Sequence, residues 1–159
     1  MKLLAIFALA AAALLAAPAW SAGGGGGGAG GEGSSTSSDP DFRAGVAAWQ
    51  AKDWQQVLKR MRVVVRRNVF NADAWNYMGH AARQLGDLDN AFKHYERALR
   101  IDPAHRGAHE YIGEAYLIVG KPVQAEEHLQ ALERLCRPNC EEYDDLKAKI
   151  ETYRREHPA

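Results

Sequence analysis

Residues 72–105 carry a spacing that leaves few folds open: ADAWNYMGHAARQLGDLDNAFKHYERALRIDPAH. Trp75, Met78, Gly79 and Ala82 recur at i, i+3, i+4 and i+7, one stripe of an α-helix. Ala91, Tyr95 and Ala98 repeat the pattern for a second helix, and Gly86 with Asp87 reads as a helix stop followed by a start. Gly79 and Ala91 are small where two antiparallel helices must approach, and Tyr95 fills the space beside them. Pro103 follows the second helix, which it cannot extend. One such pair cannot bury both of its apolar faces, so neighbouring pairs are required.

The neighbours stand in phase on both sides. In residues 106–139, Ile112, Gly113, Tyr116, Gly120, Ala125 and Leu129 repeat the pattern, and Pro122 opens a second helix where its missing N–H costs nothing. His109, Leu132 and Arg137 depart from it. In residues 38–71, Gly45, Ala48, Val57, Met61 and Val64 fit, while Asp41 and Val69 do not, and Lys52-Asp53-Trp54 stands in the turn. A weaker first unit is expected where one face meets solvent.

The phrase at 72–105 resembles the tetratricopeptide repeat family at nearly every signature position: Trp75, Met78, Gly79, Ala82, Gly86, Ala91, Tyr95, Ala98 and Pro103. The resemblance implies an all-α fold, a right-handed solenoid of three antiparallel helix pairs at 38–71, 72–105 and 106–139. After Pro138, residues 140–157 read as a capping helix, with Tyr143, Leu146, Ile150 and Tyr153 as its apolar stripe and Asn139 and Glu142 as a capping box.

Such repeats make surfaces for partners. In the family the first helix of each pair lines a concave face. Carried onto this chain, that face comprises Phe42, Val46, Trp49 and Gln50; Asp73, Asn76, His80, Arg83 and Gln84; and Glu110, Glu114, Leu117 and Ile118. The groove so built suits an extended peptide or partner helix, with Trp49 as an apolar anchor and Arg83 as an anion contact. The competing reading is that the apolar members merely pack between repeats. The Lys, Asn and Arg set with which some members grip a C-terminal carboxylate is absent, and Tyr77 stands in one of its places.

The N-terminus has another character. One Lys precedes an apolar run from Leu3 to Ala17, short for a membrane span and suited to a signal peptide over residues 1–22, with cleavage after Ala19 or Ala22. Residues 23–37 are Gly- and Ser-rich and read as a flexible linker. These features predict export to the periplasm, with secretion as the alternative, and no membrane span once the signal is removed.

Cys136 and Cys140 are the only cysteines. In an oxidising compartment a pair this close reads most simply as a structural disulfide stapling the capping helix to the third unit. A redox-active pair and a metal site compete. The latter needs further ligands at a suggestive spacing, and none is evident. His105 and His109 stand at i, i+4, but the first lies in an inter-repeat turn and no H-E-x-x-H phrase accompanies them. Surface or packing histidines are the simpler reading.

The formal charge is zero but unevenly placed. Lys52, Lys59, Arg60, Arg62, Arg66 and Arg67 face only Asp53 within their stretch, whereas residues 126–156 are acidic on balance. This permits an acidic partner, anionic headgroups or head-to-tail self-association. Nucleic acid is not expected, since no recognition motif appears. No phosphate loop, G-x-S-x-G phrase or metalloprotease helix appears either, so no catalytic residue, cofactor or metal is assigned. The expectation is a non-enzymatic adaptor or scaffold of the bacterial cell envelope. The alternatives are a self-associating structural element and a redox or metal-handling protein built on the cysteine pair.

Overall fold

The computed structural model describes residues 38–136 and 140–158. The apolar N-terminal run, the Gly/Ser-rich segment and Asn139 lie outside them. Within them stand seven helices and no strand: α1 (Pro40–Gln50), α2 (Trp54–Arg67), α3 (Ala72–Gln84), α4 (Leu88–Ile101), α5 (Arg106–Ile118), α6 (Pro122–Cys136) and α7 (Glu141–Glu156). Consecutive helices pack in chain order, and α1, α3, α5 and α7 also meet along one side. That side carries the candidate site.

The helix starts recur because the caps recur. Asp53, Asn71 and Asp87 each accept a backbone N–H three residues on, and Asp39 accepts two. His105 does the same for α5 through Nδ1, 3.2 Å from the amide of Ala108. The turns inside the second and third pairs need positive φ, supplied by Gly86 (80°) and Gly120 (73°). In the first pair Lys52 occupies the equivalent place at φ 58°, the only non-glycine in that region among the described residues.

Small residues set how closely the helices approach. A Cβ on Gly79 would lie 2.5 Å from the Tyr95 ring, and one on Gly45 would lie 2.6 Å from Met61 Cε. Tyr95 and Met61 are both fully buried. In the third pair the expected partner, Leu129, is only half-buried, and Gly113 faces Leu146 of α7 at 2.7 Å instead. The last helix thus enters the interface itself, and Leu132, Tyr143, Leu146 and Ile150 form one buried cluster with Ala125 and Cys140.

Two expectations need correction. Residue α7 N-cap is Cys140, which makes no side-chain capping hydrogen bond, so the Asn139–Glu142 box does not describe this helix start. Its first turn instead carries Glu141, Glu142 and Asp144, whose charges suit the positive end of the helix dipole. The basic run on α2 is also partly neutralised. Asp41, out of place as a signature residue, pairs with Arg60 at 3.0 Å and with Arg67, while Asp39 reaches Arg67 at 3.5 Å. The hydrogen bond from Arg60, opposed by partial burial, holds the Asp41 carboxyl below the usual carboxylate range.

A candidate partner-binding face

The first helices bring their inward residues together into a connected aromatic and polar surface. Phe42 and Trp49 of α1 meet Tyr77 of α3 edge-on, with ring centroids 5.9 and 5.7 Å apart. His80 is the hub: its ring lies 5.6 Å from Trp49, 5.3 Å from Trp54 and 4.8 Å from Tyr111. Trp49 Nε1–H donates to His80 Nδ1 at 3.2 Å, which leaves the His80 proton on Nε2. Burial, with Arg83 and Lys149 nearby, pushes the His80 pKa down to about 4, so the ring is neutral at pH 7.

Arg83 does not stand open to an incoming anion. Its guanidinium pairs with Glu114 of α5 at 2.8 Å, its Nε–H donates to the Tyr95 hydroxyl at 3.3 Å, and its plane lies 5.7 Å from the Tyr111 ring. Glu114 is claimed a second time by Lys149 of α7. The acidic end of the expected groove is therefore spent internally. Glu110, one turn earlier, is buried beside it, and desolvation, reinforced by Glu114, raises its pKa to about 8. Asn76 is buried with its Oδ1 unpartnered. Val46 and Leu117 are half-buried, Gln50, Gln84 and Ile118 are exposed, and Asp73 sits at the rim with its carboxylate 3.2 Å from His105 Nε2.

Two openings remain on this side. One, of about 350 Å³, lies between the first turn and α3 and is lined by Trp49, Gln50, Lys52, Trp54, His80 and Gln84. The other, of about 660 Å³, lies between the end of α5 and α7, where Leu117, Ile118, Ala148 and Tyr153 supply apolar wall and Asp145, Lys149 and Glu156 supply charge. Trp54, Tyr77, Tyr111 and Lys149 belong to the surface and were not among the residues expected there. Tyr77 and Tyr111 occupy the same place in successive units, a repetition visible in the sequence.

The remaining candidates fall elsewhere. Cys136 and Cys140 are joined as a disulfide with Cα atoms 5.4 Å apart, linking the end of α6 to the start of α7. Bonded to each other, the sulfurs are not thiolate ligands, although Glu142 stands close by. His105 and His109 do not face one another. His105 caps α5, and His109 meets His128 of α6. No described helix is long and apolar enough to cross a membrane.

Comparison with known proteins agrees with this architecture. Residues 72–105 match the family model described as Tetratricopeptide repeat. The TPR2B domain of yeast Sti1, in its complex with pHsp70, superposes with a TM-score of 0.67 at 17% identity, covering 74% of this chain and 95% of that one. PcrH in complex with the chaperone binding region of PopD gives 0.65 at 18% identity, covering 73% and 90%. Among sequences, human Protein O-mannosyl-transferase TMTC3 is 29% identical over 75 residues, 47% of this chain. The chain spans only 8% of that relative's length. The fold is an all-helical solenoid of the tetratricopeptide type.

Proposed function

We propose that this protein is a non-enzymatic adaptor, exported to the periplasm, that holds an extended peptide or helix of a partner protein against its inward face. The observation that carries the reading is the opening walled by Trp49, Trp54 and His80 and rimmed by Gln50, Lys52 and Gln84. Two indoles supply rigid apolar area at low entropic cost, and the amides and ammonium at the edge can bond a partner's backbone or carboxylate. The neutral His80 keeps that wall free of charge. Export is supported by the charge-poor run at Leu3–Ala17 and by a cysteine pair joined as it would be in an oxidising compartment.

A pull-down from periplasmic extract with the full chain, beside Trp54→Ala and the double variant Trp49→Ala/Trp54→Ala, tests this. The reading expects the partner to be lost while helicity is retained. Full recovery by both folded variants would overturn it. Arg83→Glu is unsuited to this test, because it places two like charges inside the buried Arg83–Glu114 contact.

A second reading, assembly through stacked copies, draws on the exposed Lys59, Arg62 and Arg66 at one end and Glu141, Asp144 and Asp145 at the other. Light scattering over a range of salt separates the two. An oligomer that dissolves as salt rises favours assembly, and a monomer throughout favours the adaptor.

A further inference from the structure

Phe70 is the most exposed large apolar side chain among the described residues, at 72%, and Val69 beside it is exposed at 41%. A single exposed apolar residue is ordinary on a protein surface, but this one is held out by its backbone. The turn between α2 and α3 is tied down on both sides of it. Asn68 Oδ1 accepts the Phe70 N–H at 3.0 Å, and Trp75 Nε1–H donates to the Val69 carbonyl at 2.8 Å.

Cations border this turn. Lys59, Arg62 and Arg66 recur at i, i+3 and i+7 along the exposed stripe of α2 that runs into it. Arg67 is spent on Asp39 and Asp41, whereas these three form no ion pair among the described residues. The stripe continues onto α4. The Trp75 ring lies 5.5 Å from His94, whose pKa burial holds below its ordinary value, with Arg62 and Lys93 adding to the effect and Asp87 opposing it. Glu96 lies on the other flank of α4, where it pairs with Arg100 and acts on Tyr116.

From this arrangement we propose that the outer face of α2 and α4 docks on an anionic lipid bilayer. Phe70 and Val69 enter the boundary between headgroups and acyl chains, while Lys59, Arg62, Arg66 and Lys93 meet the lipid phosphates. A ring that stands alone has no walls with which to grip a peptide side chain, whereas a fluid bilayer receives it without a shaped pocket. Neither signal suffices alone, and an apolar anchor beside a basic patch is the combination that holds a protein at such a surface. The zero formal charge of the whole chain does not oppose this, because the surface potential acts only within a Debye length, about 8 Å. The surface is separate from the partner-binding face, which is built mainly on α1, α3, α5 and α7.

The test is co-sedimentation of the full chain with phosphatidylglycerol/phosphatidylcholine vesicles beside pure phosphatidylcholine vesicles. The apolar run at Leu3–Ala17 binds either composition, so the readout is the excess on anionic vesicles. That excess should be at least about tenfold at low salt and should shrink as salt rises. Phe70→Ser should cut it about fivefold and Arg62→Ser/Arg66→Ser at least about tenfold, with helicity retained, while Glu96→Gln should leave it intact. A second measurement does not depend on loss. In Phe70→Trp, the emission of the added indole should shift to the blue on anionic vesicles and be quenched by brominated acyl chains. No anionic excess, an excess that both serine variants retain, or an added indole that brominated chains do not reach would overturn the proposal. Self-association without vesicles that Phe70→Ser abolishes would overturn it too, assigning the turn to a second copy of the chain.

Discussion

Arg83 on α3 and Glu114 on α5 close to 2.8 Å with both side chains about nine-tenths buried, tying the second helix pair to the third across the inward face. Tyr95 and Tyr111 surround the guanidinium, and Lys149 extends the tie to α7. A buried ion pair adds little over a well-packed apolar pair, but removing one member strands the other. Arg83→Met should therefore lower the unfolding free energy by about 3 kcal/mol in urea denaturation. Arg83→Met/Glu114→Met should recover part of that loss. A single-variant cost below about 1 kcal/mol would show that Lys149 alone satisfies Glu114.

Stability should pass through a maximum near pH 6.5. His80 and His128 have folded pKa values of about 4, below the ordinary 6.5, so between those limits the unfolded chain binds more protons and stability is lost as pH falls. Glu110 has the opposite sign: its folded value, about 8, exceeds the ordinary 4.5, so its contribution is lost as pH rises through that window. The histidines, with His94 and His109 also held below their ordinary value by burial, outweigh Glu110 on the acid side, and Glu110 dominates on the alkaline side. Urea midpoints measured from pH 5 to pH 9 should show this dome, and Glu110→Gln should flatten its alkaline side.

The three turn and contact positions separate backbone strain from crowding. Gly86 has open space around it, so Gly86→Ala should cost only the left-handed penalty, about 1 kcal/mol. Gly79→Ala drives a methyl into the buried Tyr95 ring and should cost more, up to about 3 kcal/mol. Lys52→Gly removes strain already present and should stabilise by up to about 1 kcal/mol. Thermal or urea unfolding of the three variants, ranked in any other order, would contradict the assignment.

Reduction of Cys136–Cys140 should be felt mainly in α7. The loop is short, so the chain-entropy model gives about 2 kcal/mol. Hydrogen exchange should quicken at Tyr143 and Leu146 on reduction, while α3 stays protected. Equal acceleration throughout would mean that the bond holds the whole array and not its last helix.

The scaffold was legible because its requirements are local. Gly79 against Tyr95 and the stop at Gly86 follow from spacing alone, and they repeat from unit to unit. What the sequence left open were the satisfactions between units. A set of inward positions does not reveal that Arg83 is answered by Glu114, or that Glu114 is shared with Lys149. Those pairings depend on the angle at which one pair stacks on the next. The same limit hid Leu146 in the place expected of Leu129, and His128 as the partner of His109. Trp54 was seen as a turn residue, yet only the packing of α2 against α3 brings it beside His80.

The inward face is tested most directly by photo-crosslinking of the full chain in the cells that make it. A photoreactive phenylalanine analogue at Gln84, on the rim of the Trp49–Trp54 opening, should capture a partner as a discrete adduct, whereas the same group at Glu96 on α4 should not. Adducts that form at Glu96 and not at Gln84 would place the partner on the outer helices and contradict the account.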